Sequence, residues 1–133
     1  MTKDTLYPKN IFTLIIRGEA PAYRIYEDAH TLAILDTKPS SPGHVLVLSK
    51  SEVDKFYELP PDEFTAVMHT VKKLAVAMER ALEARIIMRA SGNTLPHVHI
   101  HLTPRDKNWY YERVVEMSEA EMEAVALKIK MNL

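Results

Sequence analysis

The chain has no cysteine and only three glycines among its 133 residues. Without cysteine, neither a disulfide framework nor a thiolate metal site can form, and this fits a reducing compartment. No apolar run approaches the roughly 20 residues that a membrane-spanning helix requires. The N-terminal sequence also lacks the apolar core of a signal peptide. We therefore expect a cytoplasmic protein that does not interact with membranes.

An excess of charge of either sign is missing as well. Seventeen Lys and Arg residues stand against eighteen Asp and Glu residues, which gives a net charge of −1. Proteins that bind nucleic acids carry a concentrated positive charge to meet the phosphate backbone. The balance argues against a nucleic acid partner, and an anionic ligand would have to be held by local groups.

The length, with 47% hydrophobic and 26% charged residues, predicts one globular domain over residues 1–133. The patterning predicts strands at 23–27, 31–35, 44–48, 85–89 and 98–103 and a short helix at 11–17. A helix of about six turns begins at Pro60 and buries a stripe that includes Phe64. Ser118 and Glu121 form a capping box before a last helix. These elements predict the α+β class with an antiparallel sheet of about five strands.

Histidine is the unusual residue of this sequence. Three of the six histidines, His97, His99 and His101, alternate with aliphatic residues. On a strand this alternation puts the three imidazoles on one face, lining a cleft, and the aliphatic side chains on the other. The outer two imidazoles would be separated by about 13 Å along the strand. His30 and His69 have no evident role.

Three interpretations fit this row of imidazoles. A metal-dependent enzyme using His97 and His99 is one, although three ligands must converge on one catalytic zinc and the outer pair stands far apart. Nucleophilic catalysis on phosphorus is the favoured one, because a neutral imidazole can attack a phosphate and leave again. Solvated histidines without a function are the third, and they fit poorly with an aliphatic reverse face.

The motif His97–Arg105, with its alternating histidines followed by Pro-Arg, resembles that of the histidine triad (HIT) superfamily of nucleotide hydrolases and transferases. The stretch 11–50, which includes Pro-Gly before His44, is also similar to this family, so the resemblance covers about residues 11–105. It implies a HIT-like α+β fold with one long helix and a C-terminal helix. It also implies a homodimer.

The resemblance assigns a role to each histidine of the site. His99 would be the nucleophile, and His101 would contact the phosphate and the leaving group. His97 and His44 would support the network that orients His99. Further residues would bind the nucleotide: Phe12 and Ile15 at the base, Asp36 at the ribose hydroxyls, and Asn93 and Thr94 as polar contacts before the triad.

Two departures from the family pattern stand out. Many members carry Cys-x-x-Cys near the first helix as part of a zinc site, whereas Asn10 and Thr13 occupy those positions here, so we expect no metal there. Many members also carry a longer glycine-rich segment before the triad, and here only residues 91–96 precede it. The shortened segment bears on the choice of substrate.

The expected activity is therefore cleavage at the α-phosphate of a nucleoside 5′-phosphoryl compound through a covalent nucleotidyl-histidine. A dinucleoside polyphosphate, a nucleoside phosphoramidate or a related adenylate would be the small-molecule substrate. No cofactor is required, although Mg²⁺ can accompany a polyphosphate. The alternative is a nucleotide-binding or regulatory protein with weak or lost catalysis.

Overall fold

The computed structural model describes residues 10–90, 95–107 and 113–133. Within them, five strands form one sheet in the order β1-β2-β3-β5-β4, and every pair of neighbours is antiparallel. The strands are β1 (Arg24–Glu27), β2 (Thr31–Leu35), β3 (Val45–Ser49), β4 (Ile86–Ala90) and β5 (His99–Pro104). The helices are α1 (Ile11–Ile16), α2 (Pro61–Leu82) and α3 (Glu119–Lys130), with a 3₁₀ turn at Phe56–Glu58. The predicted α+β class with a five-stranded antiparallel sheet is confirmed.

The two faces of the sheet serve different purposes. One face packs against α2 and α3 and forms the larger core, which includes Ala33, Val47 and Ile100. The other face carries a smaller cluster in which α1 covers β2 and β3 through Phe12 and Ile15. Because side chains alternate along a strand, His99 and His101 lie on the α1 face while Ile100 joins the larger core. The aliphatic reverse face of the histidine motif is therefore buried, as the pattern predicts.

Helix α2 lies on the sheet by the predicted stripe, of which Val67, Val71, Leu74 and Met78 are buried. Phe64 is 40% exposed, so its predicted burial is wrong, whereas Thr70, Ala77 and Ala81 are buried. Small residues let the helix approach the sheet closely, and the Thr70 hydroxyl lies 2.8 Å from the Thr31 hydroxyl. In the described part of the chain, no helix is both long and apolar enough to cross a membrane.

Local sequence signals define the ends of the other helices. The Asn10 side chain caps α1 by accepting hydrogen bonds from Phe12 N–H and Thr13 N–H. In α3, the Ser118 hydroxyl accepts from Glu121 N–H and the Glu121 carboxylate accepts from Ser118 N–H. The predicted capping box is confirmed.

Gly43 occupies the turn that leads into β3. Its φ of +92° lies in the left-handed region that favours glycine, and a Cβ there would collide with the Leu82 side chain. Glycine is thus required both by the backbone and by the space under α2. The turn places His44 at the mouth of β3.

Asp28 ties the β1–β2 hairpin to α2. Its carboxylate accepts hydrogen bonds from the backbone N–H groups of His30 and Thr31 and from the hydroxyls of Thr31, Tyr26 and Thr70. Burial alone would raise the pKa of Asp28, but the hydrogen bonds from His30, Thr31 and Tyr26 together lower it to about 2. The charged form of Asp28 therefore stabilises the fold.

We predict that Asp28→Asn lowers the free energy of unfolding at pH 7 by about 1–2 kcal/mol, because an amide cannot accept all five hydrogen bonds and carries no charge. Denaturant titration measures the difference. Since the pKa is lowered on folding, the wild-type advantage should shrink as the pH falls from about 4 towards 2. The exposed Asp54→Asn is the control and should change little; equal stability of Asp28→Asn and wild type would contradict the assignment.

Candidate active site

The two histidines of β5 stand near the middle of the sheet. β5 lies between β3 and β4, and His101 is paired with Leu46 on one side and Arg89 on the other. His99 is paired with Leu48. Residues paired across antiparallel strands share a face, so the register sets the neighbours of each imidazole.

His97 stands before β5, at the buried end of the row of imidazoles that the alternation predicts. The strand begins at His99, and His97 precedes it as a buried residue whose Nε2 lies 2.6 Å from the Ser49 carbonyl. It does not line the large cavity described below. At this position the Ser49 carbonyl offers the His97 ring a hydrogen-bond acceptor. The Phe12 ring contacts both His97 and His99, so the two imidazoles lie on the same side of the sheet, but only His99 reaches the cavity.

His97 nevertheless orients His99, but through its backbone. The His97 carbonyl accepts a hydrogen bond from His99 Nδ1 at 2.6 Å, which requires the proton of the neutral His99 ring to be on Nδ1. The His99 Nε2 then keeps its lone pair. The Phe12 ring lies 5.0 Å from the His99 ring, centroid to centroid, and shields it. His99 is therefore a buried, oriented imidazole with an unprotonated Nε2.

A chain of hydrogen bonds also fixes the protons of His44 and His101. Ser40 N–H donates to His44 Nδ1 at 3.0 Å, so the proton of neutral His44 must be on Nε2. His44 Nε2 lies 2.8 Å from His101 Nδ1 and donates to it. The proton of His101 is consequently on Nε2. We call the series Ser40 N–H, His44 and His101 the histidine relay.

The site favours neutral imidazoles. Burial is the largest cause that lowers the pKa of His44, His97, His99 and His101. Burial, together with the charges of His44, Arg89 and His99, brings the pKa of His101 to about 3. The positive charge of Arg89 lowers the pKa of His44, His99 and His101 further, while Asp36 opposes the shift at His44 and His99. Neutral imidazoles are required for the tautomers described above and for nucleophilic attack.

Long-range contacts hold the loop between β2 and β3, which carries Ser40. Arg113 Nε donates to the Ser40 carbonyl at 2.7 Å, and its two Nη atoms bind the Asp106 carboxylate. Next to it, the Ser41 hydroxyl donates to the Pro104 carbonyl. Nothing in the local sequence pattern distinguishes Arg113, because only the folded chain brings together two residues that are 73 apart.

A cavity of about 490 Å³ opens beside the histidines. Apolar residues line most of it and a few polar ones complete it, a composition typical of small-molecule sites, and the volume suits a nucleotide. The cavity brings together five residues singled out in the sequence: Phe12, Ile15, Asp36, His99 and His101. His44 reaches it through His101 and lies 3.6 Å from Asp36. Asn93 and Thr94 lie outside the described residues.

Comparison with known proteins identifies the family. The family model of the HIT domain matches residues 17–108, which is more than half of the chain. The chain belongs to the histidine triad (HIT) superfamily. Its fold agrees, because a crystal structure of a Hit-like protein from Bartonella henselae superimposes with a TM-score of 0.86 at 30% identity, covering 96% of this chain and 98% of that one.

Relatives of this HIT protein include uncharacterized proteins and named enzymes. An uncharacterized HIT-like protein of Methanocaldococcus jannaschii is 39% identical over 71% of this chain and 78% of its own. An adenylylsulfatase of Arabidopsis thaliana is 36% identical over 77% of this chain and 55% of its own. An adenosine 5′-monophosphoramidase of Saccharomyces cerevisiae is 32% identical over 76% and 65%, respectively. The relatives named as enzymes thus act on adenylyl compounds.

The family resemblance raises the question of a zinc site near α1 of this HIT protein. The residues present do not fit one: Asn10 uses its side-chain oxygen to cap α1, and the Thr13 hydroxyl is a poor ligand beside the thiolates that such sites use. Arg17 and Glu52 pair at 2.7 Å nearby.

A second potential metal site consists of Asp36, His44 and His101, whose ligand atoms lie within 4.8 Å of one another. A histidine that binds a metal through Nε2 normally donates a hydrogen bond from Nδ1. Here Ser40 N–H points at His44 Nδ1, so that nitrogen accepts instead. This tautomer of His44 fits the histidine relay, in which His44 donates to His101, and it disfavours a metal ion at His44.

We predict that the stability of this HIT protein falls on acidification below about pH 6.5. Unfolded histidines gain a proton near that pH, whereas the folded site lowers their pKa values, so the unfolded state binds more protons. Between pH 6.5 and 5, the free energy of unfolding should decrease in both proteins, but by about 1–2 kcal/mol less in His101→Asn than in wild type, as urea titrations measure. In this variant the amide oxygen can still accept the hydrogen bond from His44. The exposed His69→Asn is the control, and parallel curves for His101→Asn and wild type would contradict the prediction.

Proposed function

We propose that this HIT protein cleaves the bond between the α-phosphorus of a nucleoside 5′-phosphoryl compound and its leaving group. The observation that carries the proposal is the hydrogen bond from His99 Nδ1 to the His97 carbonyl, because it leaves a lone pair on His99 Nε2 at the edge of a nucleotide-sized cavity. An imidazole held in this way is a nucleophile that needs no further activation at neutral pH.

In the first step, the His99 Nε2 lone pair attacks the α-phosphorus and forms an N–P bond. The bond from phosphorus to the leaving group breaks, and its electron pair departs with the leaving group. His101, which carries its proton on Nε2, donates a hydrogen bond to the phosphoryl oxygens or to the departing atom. Ser40 N–H and His44 keep that proton in position.

In the second step, water or another acceptor attacks the phosphorus of the nucleotidyl-histidine. The N–P bond breaks, Nε2 regains its lone pair, and the proton of the attacking water passes to solvent. For hydrolysis, one water molecule is consumed, and the products are a nucleoside monophosphate and the protonated leaving group. Dividing the displacement in two lowers each barrier, because the imidazole is both a good nucleophile and a good leaving group.

The nucleoside would lie in the cavity with its base against Phe12 and Ile15 and its ribose hydroxyls near the Asp36 carboxylate. These residues line the same cavity as His99 and supply an apolar wall and an acceptor. The relatives named as an adenylylsulfatase and an adenosine 5′-monophosphoramidase support an adenylyl substrate. A dinucleoside polyphosphate is a further substrate of the same chemistry, and Mg²⁺ can accompany it.

We predict that His99→Ala lowers turnover of adenylyl substrates at least about 10³-fold, because the nucleophile is gone. A rapid quench of wild type followed by mass spectrometry of the intact chain should find an added nucleotidyl mass that His99→Ala lacks. The control is His69→Ala, an exposed residue of α2 that should keep wild-type rates. Normal turnover by His99→Ala would refute the nucleophile assignment.

Two other functions would give different experimental results from the proposed hydrolysis. A nucleotide-binding or regulatory protein would bind adenylyl compounds without turnover and without an adduct. A metal-dependent enzyme using His97 and His99 would lose activity in chelator, but the burial of His97 against the Ser49 carbonyl disfavours it.

We also infer a homodimer that forms through β4. This strand stands at the edge of the sheet, and Met88 on it is 54% exposed beside an apolar groove that includes Phe56, Phe64 and Val98. An exposed strand edge with apolar flanks favours pairing with another strand. Two copies of β4 can pair antiparallel about a twofold axis, which closes both edges and covers both grooves.

We predict that Met88→Lys converts the dimer to a monomer, because it brings like charges together in an apolar interface. Light scattering after size-exclusion chromatography measures the mass of the particle. Leu127→Lys, on the exposed face of α3, is the control and should remain dimeric. A monomeric wild type would disprove the inferred assembly.

A further inference from the structure

Arg89 is a cation that lies beside the proposed catalytic histidines. The reaction proposed above gives it no role. It lies on β4 directly across from His101, so the two side chains share the α1 face of the sheet with Cβ atoms about 5 Å apart. Arg89 is half-buried. Its guanidinium is always charged and offers a planar set of donors that matches the oxygens of phosphate or sulfate.

The order of the strands places Arg89 on the opposite side of the two histidines from the cavity. The cavity that would take the nucleoside lies over β2 and β3, where Ile34 and Leu46 line it. His99 and His101 follow on β5, and Arg89 follows on β4, one strand spacing of about 4.8 Å further. A substrate with its nucleoside in the cavity and its α-phosphorus at His99 would therefore extend its leaving group towards β4 and Arg89.

We propose that Arg89 determines the specificity of this HIT protein by binding an anionic tetrahedral leaving group, sulfate or phosphate, joined to the α-phosphate of the nucleotide. This inference rests on the proposed function, since it names the substrate class of the same site. The shared chemistry is an oxyanion next to the α-phosphate, and both oxyanions match a guanidinium in two hydrogen bonds.

The two kinds of leaving group need different help. Sulfate or phosphate leaves with the P–O electron pair and gains negative charge, which a fixed cation stabilises without transferring a proton. An amine leaves with the P–N electron pair and must gain a proton at nitrogen, so it depends on a proton donor and little on Arg89. Loss of the cation should therefore affect the first class selectively.

The charge of Arg89 already acts on the site, because it lowers the pKa of His44, His99 and His101. Its effect on all three imidazoles places the guanidinium within electrostatic reach of the reacting groups. A cation that repels protons from the histidines and attracts oxyanions keeps the nucleophile neutral while drawing the substrate to it. A purely structural arginine would have no reason to discriminate between leaving groups.

The test compares Arg89→Gln with wild type on three adenylyl substrates: adenosine 5′-phosphosulfate, ADP and an adenosine 5′-phosphoramidate. For whichever oxyanion is bound, kcat/KM should fall at least about 30-fold, while the phosphoramidate should change less than about 3-fold. Arg89→Lys should recover part of the loss. The matched control is Arg85→Gln, which removes the same charge from an exposed residue just before β4. The relative losses with sulfate and phosphate identify the natural oxyanion.

Equal losses on all three substrates, or no loss on any, would overturn the role of Arg89. A binding measurement separates this result from a failure of the proposed function. By calorimetry in the His99→Ala background, which lacks the proposed nucleophile, the protein with Arg89 should bind ADP more tightly than AMP, and the same protein with Arg89→Gln should bind the two alike. If wild type turned over none of the substrates, the proposed function would fail while this binding difference still decided the role of Arg89.

Discussion

The hydrogen bond from Ser40 N–H to His44 Nδ1 is the contact on which the chemistry of the site depends. A backbone N–H can only donate, so the proton of neutral His44 must be on Nε2. Because His44 Nε2 donates to His101 Nδ1, the proton of His101 must also be on Nε2. A histidine side chain in solution exchanges freely between tautomers, but these two have no such choice. The path of the main chain therefore determines which nitrogen of each ring carries the proton, and this requires the loop that carries Ser40 to be held in place.

The rest of the fold holds this loop in place. Gly43 permits the turn under α2 that brings His44 to the mouth of β3, and the pairing of β3 with β5 sets His101 beside it. Arg113 donates a hydrogen bond to the carbonyl of the same residue, Ser40. Burial then completes the arrangement, because neutral imidazoles in a poorly solvated site cannot gain the protons that would break the hydrogen-bond order. The sheet, the loop and the low polarity around the histidines thus act together to keep the tautomers of His44 and His101 fixed.

Much of this could be predicted from the sequence, for identifiable physical reasons. The alternation along 97–103 predicts which side chains of β5 lie on each face of the sheet. The capping box predicts where α3 begins, so local sequence patterns were sufficient for both. The burial of His97 was not evident, because the alternation extends two residues upstream of the start of the strand at His99. Phe64 was misassigned because hydrophobicity alone does not show which face small residues such as Ala77 allow to approach the sheet. Arg89 was missed although alternation puts it on the same face as Ile87, since only the register between β4 and β5 reveals that it stands opposite His101.

The net charge of −1 has a different meaning once the site is known. A basic surface would attract any polyanion and would not distinguish between the groups on either side of one phosphorus atom. In this protein the neutral histidines supply directed N–H groups and a lone pair, and Arg89 adds a fixed positive charge on the side of β5 away from the apolar cavity. Because that charge is half-buried, salt screens it less than a surface charge. In the proposed reaction, a cation in this position would therefore orient the nucleotide as well as bind it, with the nucleoside over β2 and β3 and the charged end over β4.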